Sequence, residues 1–136
     1  MCMKPVLYKH PHIEVRQSPV HGYGVFATED IDVDTILEEI SFVSVPVGIA
    51  SDYVFAFPRG GTPVEDTIGV QREHVLPFGY ACIYNHSDIP NATWKTDTKT
   101  RLFVFYTISP IKKNEEIRTF YGPDSYWAEH PNVKKV

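Results

Sequence analysis

Apolar and polar positions along this chain alternate in short runs, and no stretch sustains the 3.6-residue period of a long amphipathic helix. His12-Ile13-Glu14-Val15-Arg16 alternates residue by residue, and the turn at Gly22 and Gly24 leads into Val25-Phe26-Ala27, which predicts a β-hairpin. Thr35 to Val43 is rich in β-branched residues and stops short of Pro46, the pattern of one or two further strands. Tyr53-Val54-Phe55-Ala56-Phe57 is an apolar run closed by Pro58 and the loop Arg59-Gly60-Gly61-Thr62-Pro63, again a strand. Leu102, Val104 and Tyr106 alternate with Phe103, Phe105 and Thr107, so this segment is apolar on both faces and predicts a central strand. Ile108-Ser109-Pro110 breaks that run, and the chain turns through Lys112-Lys113-Asn114 into Glu115-Glu116-Ile117. The one helical expectation is a short element around Gln71-Arg72-Glu73-His74. Eleven prolines and eight glycines punctuate these runs, and the fold class they predict is mostly β.

Composition narrows the function. At 136 residues and 43% hydrophobic, the chain suits one domain with a real core. Its 17 acidic and 13 basic residues give a formal charge of −4 and are spread along the sequence, so no basic stripe is available to neutralise nucleic-acid phosphates. Direct nucleic-acid binding is disfavoured, and a mildly acidic surface suits a basic partner such as a Lys/Arg-rich peptide. Cys2 and Cys82 form no CxxC pair, and His10, His12 and His86 stand in no HExxH or His-x3-His spacing, so neither a disulfide framework nor a metal site is expected. Met1-Cys2-Met3-Lys4-Pro5 does not open a long apolar run and no stretch reaches the length of a membrane span, so a soluble, intracellular protein is expected.

Three segments carry chemistry. His21-Gly22-Tyr23-Gly24 reads on its own as a plain hairpin turn, although paired glycines also let backbone groups approach a ligand closely. Asn85-His86-Ser87-Asp88-Ile89-Pro90-Asn91 has the makings of an Asx turn with a proline, which stops a strand. Asn114-Glu115-Glu116-Ile117-Arg118-Thr119-Phe120-Tyr121-Gly122 ends a strand on a tyrosine, a place that a core tyrosine also fills. Taken singly, each has an unremarkable structural reading.

In this order the three segments resemble the SET-domain protein-lysine methyltransferases, and most of all the minimal SET proteins of large DNA viruses, which carry similar strings through Tyr126-Trp127 in one short chain. The resemblance implies small curved sheets with few short helices and a C-terminal pseudoknot, in which the Asn85 segment is threaded beneath a loop of the C-terminal region and lies beside Tyr121. It divides the chain into an N-terminal extension over 1–11, a SET domain over 12–127 and a tail over 128–136. It implies S-adenosylmethionine as cofactor, with Gly22, Tyr23, Gly24, Asn85, His86, Tyr121 and Trp127 around it. Asn85 would face the methionine portion, the His86 backbone the adenine, and Asn91 would fix the loop. Tyr121 takes the place of the catalytic tyrosine, and Tyr23, Tyr53, Tyr121 and Tyr126 line the lysine channel. It further implies a basic protein substrate such as a histone tail, a nuclear setting if that substrate is a histone, and a homodimer. No metal is implied, because the cysteine-rich zinc segment that completes the channel in many relatives is missing and Tyr126 and Trp127 stand in its place.

The chain departs from the family pattern at Asn114, where a glycine is usual, at Phe120, where an aspartate is frequent, and by one extra residue between Gly122 and Tyr126. Thr119 stands two residues before Tyr121, where relatives often carry the Phe or Tyr that sets product multiplicity, so that rule does not transfer. Two other readings compete. A SET-like module that binds peptide or cofactor with little catalysis shares the same motifs, whereas a Ser-His hydrolase fits poorly, because His86 and Ser87 are adjacent and no GxSxG elbow is present.

Overall fold

The computed structural model describes residues 4–45, 55–58 and 72–121, and among these every regular element is a strand. In chain order they are β1 (Ile13–Gln17), β2 (Tyr23–Ala27), β3 (Ile36–Ile40), β4 (Phe42–Val45), β5 (Phe55–Pro58), β6 (Arg72–Pro77), β7 (Asn85–His86), β8 (Ala92–Asp97), β9 (Leu102–Thr107) and β10 (Glu116–Thr119). They form three small sheets with strand orders β1-β2-β10-β7, β3-β9-β8 and β4-β6-β5.

The expected hairpin is β1 and β2, paired from Ile13 opposite Ala27 to Gln17 opposite Tyr23. The β-branched stretch beginning at Thr35 becomes two strands, β3 and β4, separated at Ser41, and the apolar run ending at Phe57 supplies β5. β9 is central, as its doubly apolar pattern demands: β3 and β8 flank it, and Leu102, Phe103, Val104 and Phe105 are all buried. The ring of Phe103 collects those of Phe42, Phe55, Phe57 and Trp94 at centroid separations of 5.2–5.6 Å, edge-on to each. This cluster joins the sheet of β4, β5 and β6 to that of β9. Two residues along the same face of β9, Phe105 stacks on Tyr84 at 5.0 Å, carrying the packed aromatics up to the start of β7.

The helix expected around Gln71–His74 is not formed: Arg72 to His74 belong to β6, and Gln71 lies outside the described residues. β6 is the middle strand of its sheet, with β4 on one side and β5 on the other. Two ladders of backbone hydrogen bonds and a fully buried Val75 outweigh the weak strand preference of its charged residues. Nor does the sequence announce β8, whose Thr93, Lys95 and Asp97 look like a polar loop. It pairs with β9 along all six residues, with Ala92 fully buried and Trp94 half-buried.

Two equivalent turns brace the molecule. Ile31 and Ile111 exchange reciprocal backbone hydrogen bonds of 2.8 Å each, and three residues beyond them Asp34 and Asn114 take the left-handed conformation with φ of 57° and 69°. The first turn leads into β3 and the second into β10. Asn114 therefore occupies a backbone conformation that suits glycine and that asparagine tolerates better than most residues, which accounts for the exchange at this position.

Candidate functional site

The site is built where β10 meets β7. These two strands run parallel, with Arg118 opposite Asn85 and Thr119 opposite His86, although β7 is only two residues long. So short a pairing needs other support, and Asn91 supplies it. Its side-chain amide donates to the Glu116 carbonyl at 2.9 Å and its side-chain oxygen accepts from the Arg118 N–H at 2.8 Å. Backbone bonds from Ser87 N–H to the Thr119 carbonyl and from Asn91 N–H to the Arg118 carbonyl close the crossing. The two motifs therefore lie side by side, as expected.

Asn85 is buried beneath the hairpin turn. Its side-chain N–H2 lies 3.2 Å from the carbonyl oxygens of both His21 and Tyr23 and 2.7 Å from the Glu116 carboxylate. Two donor hydrogens are thus shared among three acceptors, and one side chain ties the turn, β7 and β10 together. The Glu116 carboxylate, also buried, accepts in addition from Ser18 Oγ at 3.0 Å and from the Arg118 guanidinium at 3.1 Å. Gly24 makes room for it: a Cβ there would lie 2.4 Å from Glu116 Oε2. Gly22 has φ of 49° and open space where a Cβ would point, and Tyr23 between them is exposed.

His86 carries the crossing on to Tyr121. Its ring is buried, and Nδ1 accepts the Tyr121 backbone N–H at 3.0 Å. The proton of a neutral imidazole then resides on Nε2, which points at Asp88 Oδ1 2.8 Å away. The Phe120 and Tyr121 rings lie 5.3 and 5.5 Å from the imidazole. At its other end the Tyr121 hydroxyl donates to the Tyr84 carbonyl, just before β7. Tyr121 is therefore held at the backbone by His86 and at the hydroxyl by Tyr84.

Of the residues singled out from the sequence, Gly22, Tyr23, Gly24, Asn85, His86 and Tyr121 come together here. Tyr53, Tyr126 and Trp127 lie outside the described residues. Asn91 braces the loop, as expected. Sequence reasoning missed Ser18, Tyr84, Asp88 and, above all, Glu116. Glu116 stands inside the third motif, but a glutamate before an apolar residue at a strand start does not by itself disclose burial. Two backbone carbonyls and a carboxylate converge on the Asn85 amide beside Gly22, and these shared bonds fix the hairpin turn against β7 and β10. Among the described residues no group of three or more His, Cys, Asp or Glu side chains is arranged to hold a metal ion.

The SET domain family model matches residues 22–122. A Schizosaccharomyces pombe histone-lysine N-methyltransferase, H3 lysine-37 specific, is 34% identical over 119 residues, covering 86% of this chain and 77% of that protein. The Caenorhabditis elegans histone-lysine N-methyltransferase set-2 is 28% identical over 120 residues, covering 84% of this chain but only 8% of that protein. Among solved structures, a Plasmodium falciparum protein assigned as a histone methyltransferase superposes with a TM-score of 0.63 at 29% identity, covering 83% of this chain and 95% of that one. The Neurospora SET domain protein DIM-5, at 15% identity and a TM-score of 0.61, covers 82% of this chain and 52% of its own and supports the fold. Sheet order, strand crossing and relatives converge, and the chain belongs to the SET-domain family of protein-lysine methyltransferases.

Proposed function

We propose that this protein transfers methyl groups from S-adenosylmethionine to lysine side chains of histone tails, with Tyr121 as the catalytic tyrosine. The observation that carries the reading is the double hold on Tyr121, by His86 at its backbone and by the Tyr84 carbonyl at its hydroxyl, beside Asn85 and the Gly22–Gly24 turn it ties down. The cofactor would supply an electrophilic methyl on a positively charged sulfur, with Asn85 and the Gly22–Gly24 turn beside it. Histones as substrate rest on the activities of the relatives and on the acidic balance of this chain.

The chemistry sets what the protein residues must do. A lysine with pKa near 10.4 requires about 4–5 kcal/mol to present a neutral amine at pH 7. A tyrosine-lined channel lowers that requirement by desolvating the ammonium, and an adjacent positive charge lowers it further. No strong base is then needed, and Tyr121, an oxygen that both donates and accepts, orients the amine rather than taking its proton. Alignment of the incoming nitrogen supplies much of the remaining rate, which is why the tyrosine is held at two points. Tyr23 and, beyond the described residues, Tyr53 and Tyr126 complete the channel walls, whose aromatic faces attract methylammonium groups. Trp127, likewise beyond the described residues, is assigned to the cofactor side by the family resemblance.

Incubation with tritiated S-adenosylmethionine and recombinant histones, followed by mapping of the labelled lysine, tests the reading. Label in a histone lysine is expected. Tyr121→Phe should remove most of that turnover while leaving the circular dichroism spectrum unchanged, and full activity in that variant excludes the assigned role. Tight cofactor binding with no transfer to histones or to any protein of a cell extract would instead identify a binding module.

A further inference from the structure

A second buried carboxylate lies away from all three motifs. Glu38, on β3, is 3% exposed, and the 78–84 turn wraps around it. Phe78 N–H bonds to the Ser41 carbonyl, Gly79 adopts φ of 63°, and Tyr80 N–H lies 3.2 and 3.3 Å from the two carboxylate oxygens. The turn closes with backbone bonds from Ile83 and Tyr84 to the Tyr80 carbonyl. Tyr84 then donates its hydroxyl to Glu38 Oε2 at 2.9 Å, while its ring lies flat on Phe105. Lys9, opposite Glu38 in an isolated bridge and outside the span of the family model, bonds to the Tyr80 hydroxyl and sits 4.3 Å from the centre of that ring. A buried carboxylate is costly and persists where its bonds hold something in place. What these bonds hold is Tyr84, whose carbonyl receives the Tyr121 hydroxyl.

We infer that Glu38 is a positioning residue for methyl transfer: by fixing Tyr84 at its hydroxyl and the turn at Tyr80, it sets the carbonyl on which the Tyr121 hydroxyl rests. The inference builds on the role proposed for Tyr121. Tyr84 is fully buried and pinned at ring and hydroxyl, so its carbonyl has little freedom to follow a misplaced tyrosine. Releasing the hydroxyl end lets the carbonyl and the Tyr121 oxygen shift together. Displacement of a reacting group by a fraction of an ångström is enough to slow an aligned displacement without weakening the binding of either substrate.

Steady-state kinetics with S-adenosylmethionine and recombinant histones tests this in Glu38→Gln, Tyr84→Phe, Tyr121→Phe and the two double variants that contain Tyr121→Phe. Glu38→Gln keeps the side-chain volume but turns one acceptor into a donor facing Tyr84 or Tyr80. Tyr84→Phe deletes a single oxygen and guards against misfolding of the first variant. Each is expected to lower kcat about tenfold. KM for both substrates should stay within about twofold, and neither change should add to the loss caused by Tyr121→Phe. Unchanged kcat in both single variants overturns the inference, as does a loss that multiplies in full on the Tyr121→Phe background, which marks a structural role alone. Full activity of Tyr121→Phe itself overturns the reading of the tyrosine beneath it, so the two failures are distinguishable.

Discussion

Gly24 is fixed by a carboxylate rather than by its own backbone conformation. The Cβ of any other residue would meet Glu116 Oε2 at 2.4 Å and Asn85 Nδ2 at 3.1 Å, the two groups that join the hairpin turn to the strand crossing. Gly24→Ala must therefore displace one of them. Leaving buried polar groups short of a partner costs about 1–3 kcal/mol each. The variant should lose stability by that order in urea denaturation, and isothermal titration should show weaker S-adenosylmethionine binding. Wild-type values on both measurements would show that the network yields without consequence. Gly22 offers the contrast: space surrounds it, and its positive φ alone selects glycine.

At the scale of elements, stability is concentrated on β9. Phe103 is fully buried and touches aromatic rings from β4, β5 and β8, so Phe103→Ala removes the junction between two sheets. A loss of about 3–5 kcal/mol is expected in chemical denaturation, the range for large-to-small core changes. β9 was also the element most legible in the sequence, since burial on both faces leaves no polar position to confuse the pattern. β1 was legible from its residue-by-residue alternation, β2 from the glycine turn that leads into it, and β3 from its β-branched residues. β6 and β8 were not, because their strand state is imposed by pairing partners distant in the chain and their own residues argue weakly or in the other direction. The site divides along the same line. Asn85, His86 and Tyr121 are recognised from the strings around them. Glu116 is joined to Ser18 across 98 residues and to Asn85 across 31, and Tyr84 to Tyr121 across 37, separations that no local pattern encodes.

For the whole molecule, buried carboxylate chemistry shapes the response to pH. Desolvation by burial raises the Glu38 pKa above its ordinary 4.5, against the opposing pull of the Tyr84 hydroxyl, the Tyr80 N–H and the charge of Lys9. A carboxyl whose folded pKa is raised stabilises the fold while protonated. Its contribution is present in full below about 4.5, the unfolded value, and is lost as pH rises through the folded one. Urea denaturation from pH 4 to 7 should show this downward component in the wild type and not in Glu38→Gln. Equal slopes for the two proteins would show that the Glu38 carboxyl does not titrate in that window.

The parallel pairing of β7 with β10 has a consequence in time as well as in space. Asn85 and Tyr121 belong to segments separated in sequence by the β8–β9 ladder, so bringing them together closes a long stretch of chain. Long-range parallel pairing is slow to form. In refolding from urea, binding of S-adenosylmethionine should recover only with the slowest phase, after most of the sheet signal has returned. Recovery of binding together with the earliest sheet signal would contradict this order. A nascent or damaged chain that lacks the crossing would then neither capture the cofactor nor spend it on water or a wrong acceptor, and topology itself would act as the safeguard on reactivity.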